Sequence, residues 1–201
     1  MTRRLVLPLV VLPALALASC ATPYAGPVEV TRFVAPDSGQ RLGSGTIFVE
    51  GMGADAGSLA LSPYTTAVAA ELERLGYRSA ARADARQIAV VSLERYSQGR
   101  DGRRSPVSVG VGGSTGSYGS GVGLGLGINL GGGQRDLIGT RLSVMIRDAA
   151  SGQSLWEGRA DFRASDNSPL ATGPGNAQTV AAALFQNFPG NNGETIEVEV
   201  P

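Results

Sequence analysis

Leu142-Ser-Val-Met-Ile-Arg-Asp148 and Leu155-Trp-Glu-Gly-Arg-Ala-Asp-Phe162 are the two stretches that decide the fold. The first alternates along its length, the signature of a strand with one buried face. Ala149 to Gly152 supplies a turn, and the second stretch returns as a strand. Two such runs joined by a short turn pair as an antiparallel hairpin.

Upstream, Ile88 to Tyr96 begins apolar on both faces, as a central strand does. Val28–Val34 reads as a first strand, ended by Pro36-Asp37, and Thr46–Glu50 as a second, with glycines on both sides. Ser62-Pro63 opens a helix, with Ser62 as N-cap and proline in the first turn. Tyr64, Ala67, Val68, Leu72 and Leu75 follow at helical spacing, and Gly76 ends the helix. That apolar stripe packs on a sheet or forms a groove for a partner. A second helix is expected from Asn176 to about Phe185, with Val180, Ala183 and Leu184 on one face. Glu194 to Val200 alternates acid and aliphatic, which suits an edge strand whose charges discourage further pairing. The expected fold is α+β: a mostly antiparallel sheet with about two helices packed on one face, plus a glycine-rich hairpin insert.

That insert spans residues 99–133 and holds 14 of the 29 glycines. From Val122 to Leu130 every apolar side chain points to one face, while Gly121 to Gly127 leave the other bare. Val107, Val109 and Val111 are a shorter version. Such strands are weak alone, because glycine packs nothing and carries extra unfolded-state entropy. The bare face lets another backbone or flat surface approach, or the segment is a loop extension. It is no phosphate loop, since no Gly-Lys-Ser/Thr follows.

The N-terminus speaks to location. Arg3 and Arg4 precede an apolar run, Leu5 to Leu17, interrupted by Pro8 and Pro13. A helix needs roughly 20 apolar residues to span a bilayer, so this run reads as an export signal, residues 1–19. Leu17-Ala18-Ser19-Cys20 resembles the lipobox of bacterial lipoproteins and ends in the chain's single cysteine. The resemblance implies cleavage before Cys20, diacylglycerol on its sulfur and usually a further acyl chain such as palmitate on the new amine. Several chains at about 0.8 kcal/mol per buried methylene make a stable anchor. Ala21 stands where Asp would signal inner-membrane retention, which points to the outer membrane and a periplasmic domain. Ala16-Leu17-Ala18 also fits ordinary signal cleavage, and Arg3-Arg4 a twin-arginine signal. Residues 20–27 read as the lipidated N-terminus and tether, and 28–201 as one domain.

Composition removes whole classes of chemistry. All 17 basic residues are arginine, and histidine and lysine are absent. Without them there is no Ser–His–Asp system, imidazole metal site, Schiff base or Walker lysine. The one cysteine, spent on lipid, leaves no thiolate site. Seventeen acids against 17 arginines give no basic footprint for nucleic acid. No catalytic residue, metal ligand or cofactor is assigned; paired carboxylates remain the one catalytic option.

An ordered set of motifs completes the reading: Leu75-Gly76-Tyr77, Ala83-Asp84, Leu142–Asp148, Ser151-Gly152-Gln153 and Leu155-Trp156-Glu157-Gly158. Leu184-Phe185, Phe188-Pro189-Gly190 and Gly193-Glu194-Thr195 close the set. Together they resemble the bacterial lipoproteins of domain-of-unknown-function family 4136, from about Val30 to the end. The resemblance implies the fold and the anchoring and brings no catalytic residue.

Among single residues, Trp156 reads as a core plug, while Asp84, Asp148 and Asp161 are scattered and suit turns and caps. Arg100, Arg103 and Arg104 form a small basic cluster beside the insert, for anionic lipid, a glycan or solvent. The functional expectation is a lipid-anchored outer-membrane protein with a non-enzymatic binding or scaffolding role, its partners the membrane and an envelope protein. The alternatives are a carboxylate-dependent hydrolase of envelope glycans and a self-association module.

Overall fold

The structure, a computed structural model, describes residues 22–98, 104–106 and 136–200. The lipobox with Cys20, the expected glycine-rich hairpin from Val107 to Leu130, and Arg100 and Arg103 lie outside these residues.

The elements follow in the order β1 (Val28–Val34), β2 (Gly45–Gly51), a 3-10 turn (Gly53–Gly57), α1 (Ser62–Arg74) and β3 (Tyr77–Ser79). Then come β4 (Gln87–Gln98), β5 (Arg104–Pro106), β6 (Leu137–Asp148), β7 (Ser154–Ser165), α2 (Gly173–Phe185) and β8 (Thr195–Val198). They build one sheet in the order β3-β2-β4-β6-β7-β1-β8, with β5 paired to the end of β4. The expected hairpin is its spine: β6 and β7 pair antiparallel from Leu137↔Ser165 to Arg147↔Ser154. β4 lies against the full length of β6.

The sheet is mostly antiparallel, as the α+β expectation requires. The exception is β2, which pairs parallel with both β3 and β4. Parallel neighbours need a crossover, and α1 provides the one between β2 and β3.

Both helices cover one face. Val28 and Val30 of β1, Val91 of β4, Leu142, Val144 and Ile146 of β6, and Trp156, Ala160 and Phe162 of β7 point into a single core. The α1 stripe meets them through Tyr64, Ala67, Val68 and Leu72, and α2 through Ala177, Val180, Ala181, Leu184 and Phe185. Each large side chain so buried contributes about 1.5–3 kcal/mol.

The helix ends differ from expectation in detail. Ser62 lies inside α1 rather than capping it; Leu61 is the N-cap, and its N–H donates to Ser58 Oγ at 3.2 Å. Gly76 takes φ +106° just past the C-cap Leu75, the left-handed position that favours glycine. α2 begins at Gly173, three residues before Asn176, with Pro174 in its first turn. β8 is the edge strand expected of the acid–aliphatic tail and pairs only with β1.

The chain joins the sheet before β1. Tyr24 N–H donates to Ser165 Oγ at 2.9 Å, Ser165 N–H to Tyr24 O at 2.9 Å, and Gly26 N–H to Arg163 O at 2.9 Å. Part of the expected tether is thus bonded to the end of β7. No helix among the described residues is long and apolar enough to cross a membrane.

Candidate functional site

With both helices on one face, no helix among the described residues covers the other face of the sheet, and strand register arranges its side chains in rows. One row runs Glu94–Arg141–Asp161–Glu29–Glu197 across β4, β6, β7, β1 and β8. A second runs Ser92–Ser143–Arg159–Thr31 and a third Val90–Met145–Glu157–Phe33.

The small Ser92 and Ser143 side chains leave a hollow of about 350 Å³ between these rows. Phe33 and Met52, 53% and 48% exposed, stand at its margin. Val90 and Met145 line it, as do Glu157 and Arg159. Scattered exposed apolar residues need no explanation, but grouped ones around a concavity mark contact surfaces.

Most of the charge on this face is already paired. Arg141 donates from Nε to Asp161 at 3.1 Å and from Nη1 to Glu94 at 3.1 Å. Its pKa is raised, first by the hydrogen bond to Asp161, against a smaller opposing effect of burial. Glu50 accepts from Arg82 at 2.9 Å and pairs with Arg147 at 3.3 Å. Arg159 has no ion-pair partner among the described residues, so it is the cation on the hollow's rim that is open to a ligand. No group of three or more metal-ligating side chains occurs among the described residues.

The singled-out residues fall in separate places. Trp156 is a core plug: its ring stacks on Phe185 at 5.4 Å, tilts against Phe188 at 5.2 Å, and its indole N–H donates to Pro189 O at 2.9 Å. Asp148 holds the β6–β7 turn, accepting from Ser151 N–H at 2.8 Å and Ser151 Oγ at 2.9 Å; these bonds lower its pKa. Asp84 is an exposed loop residue whose carbonyl accepts from Thr46 Oγ1. Arg104 opens β5 opposite Gln98. Asp161 alone reaches the open face. Arg32, Arg141 and Asn176 carry the main polar contacts, and no local sequence pattern marks them for that role.

Residues 48–190 match the profile of a protein family described as "Domain of unknown function (DUF4136)". The chain belongs to that family. The matched span of this DUF4136 chain runs from β2 through α2 and includes the whole β6–β7 hairpin and the Phe188-Pro189-Gly190 turn. No curated protein matches it. Among solved structures, a PDZ domain protein from Parabacteroides distasonis is similar in fold at a TM-score of 0.51 and 11% identity, over 87% of this chain and 38% of that one. The PelC dodecamer from Paraburkholderia phytofirmans is similar at 15% identity and a TM-score of 0.40, over 79% and 94% of the two chains.

Proposed function

We propose that this DUF4136 protein is a lipid-anchored outer-membrane lipoprotein, acylated at Cys20 and facing the periplasm. Its domain binds another envelope protein and performs no chemistry. One observation carries the binding half of the reading: a sheet face with no helix against it among the described residues, where half-exposed Phe33 and Met52 stand beside a hollow lined by Glu157 and Arg159, neither with an ion-pair partner among the described residues. The lipobox-like Leu17-Ala18-Ser19-Cys20 motivates the anchor.

The hydrolase alternative needs two carboxyls flanking a bond, roughly 5–10 Å apart with reactant between them. Glu94 and Asp161 flank a common point on this face, and the Arg141 guanidinium occupies it; Asp161, Glu29 and Glu197 are neighbours in the same row and line a separate small hollow beside Arg163. The space between Glu94 and Asp161 is therefore filled by a permanent cation rather than by a scissile oxygen or a water, which leaves the Asp161–Glu29–Glu197 group as the place where this alternative would have to act.

The test has two arms. Metabolic palmitate tagging should mark the native protein and not Cys20→Ser; equal labelling overturns the anchor. A photoreactive side chain at Met52 should give one discrete adduct in intact envelopes, lost in a Phe33→Asp background. An adduct pattern indifferent to Phe33→Asp overturns the binding face.

A further inference from the structure

One end of the sheet collects the segment that leads back to Cys20 and both flanks of the glycine-rich stretch. Gln98 ends β4 opposite Leu137, and Leu137 begins β6 opposite Ser165. Ser165 ends β7 and is doubly bonded to Tyr24. Ala25 bridges to Ala164. The chain on either side of the glycine-rich stretch is therefore attached at the same end of the sheet as residue 24.

The pinning of Tyr24 sets a length. Four residue steps separate it from Cys20, and each spans at most about 3.5 Å, so a lipidated cysteine lies within roughly 14 Å of this end. A domain on so short a leash cannot turn its far end to the bilayer. β6 is 12 residues long, which at about 3.3 Å per residue puts the β6–β7 turn roughly 40 Å away.

One side chain here suits a lipid interface. Tyr24 is 53% exposed, and an aromatic ring with a polar tip settles at headgroup level.

We propose that the end of the sheet formed by Tyr24, Asp136, Leu137 and Ser165 is a membrane-facing pole, held against a phospholipid surface in one orientation by the short link to Cys20. The proposal rests on the anchoring read above. It makes the face that carries the hollow stand upright from the membrane, presented sideways to a partner.

The natively processed protein, reconstituted in phosphatidylethanolamine–phosphatidylglycerol vesicles with brominated acyl chains, provides the test. Asp136→Cys and Gln153→Cys, exposed sites at opposite ends, each carry a fluorophore on the introduced thiol. Lipid quenching should be several-fold stronger at position 136 than at 153. A flexible Gly-Ser spacer of about fifteen residues after Ala21 should bring the two together. Equal quenching without the spacer, or stronger quenching at 153, overturns the pole. Acyl content is measured on the same samples. Acylated protein with equal quenching sinks the orientation alone, whereas protein without acyl chains sinks the anchor and the orientation together.

Discussion

Arg32 and Glu194 pair at 3.0 Å, the arginine wholly buried on β1 and the acid at the surface just before β8. The same guanidinium donates to Gln186 O at 2.6 Å, Leu184 O at 3.3 Å and Ala183 O at 3.5 Å. α2 has no basic residue in its last turn, so Arg32 supplies from the sheet the positive charge its C-terminus favours. Gly190, at φ +75°, makes this possible: a Cβ there would overlap both the Arg32 side chain and the Glu194 carboxylate.

Arg32→Ala should therefore be among the costliest single changes. It leaves the Leu184 and Gln186 carbonyls without the guanidinium donor, and a buried acceptor left unpaired costs about 1–3 kcal/mol. Urea unfolding followed by far-UV circular dichroism measures it; a loss below about 1 kcal/mol would contradict the arrangement.

Gly158→Ala tests why tryptophan and glycine sit two apart in β7. A Cβ at 158 would overlap the Trp156 ring and press on Leu184 of α2. Overpacking of this kind costs about 1–3 kcal/mol. Trp156 is the only tryptophan and is buried, so its fluorescence should redden in the variant while the native protein emits in the blue. An unchanged emission maximum and midpoint would remove this account.

Tyr64→Phe removes the buried hydroxyl that donates to Asn176 Oδ1 at 2.6 Å, between α1 and α2. Asn176 Nδ2 continues to Thr140 Oγ1 at 3.2 Å and Leu170 O at 2.7 Å. An acceptor left buried and unpaired costs about 1–3 kcal/mol. In a double-mutant cycle with Asn176→Ala the two losses should be markedly non-additive; simple additivity would show that the contact contributes nothing.

The pH response follows from two carboxyls. Asn191 backbone and side-chain N–H groups, then Arg32, lower the pKa of Glu194; the Ser151 bonds lower that of Asp148. A pKa depressed in the fold gives stability that is complete above the ordinary carboxylate range, about pH 4, and is lost as pH falls through the native values. Thermal midpoints should thus fall below about pH 4, less steeply in Glu194→Gln and Asp148→Asn. Without histidine, they should be flat from about pH 5.5 to 7.5. A midpoint change centred near pH 6.5 would refute this.

Periodicity alone placed β1, the β6–β7 hairpin, α1 and the charged edge strand, because each buries one face and burial imposes a period of 2 or 3.6. The order of those elements holds as well, while the short β3 and β5 carry no period long enough to read. Tertiary structure decided the rest. The parallel placement of β2 beside β4, the burial of Arg32 under α2 and the Glu94–Arg141–Asp161 row join residues far apart in the chain. Nothing in the local pattern around Arg32 distinguishes it from an exposed arginine; only a helix end 152 residues away makes its charge useful. The family motifs become legible in the same way: Trp156, Gly158, Pro189 and Gly190 meet at one corner of the core, and it is packing in space that joins them. Which face stays open was likewise settled by where two helices, each fitted to one apolar surface, came to rest.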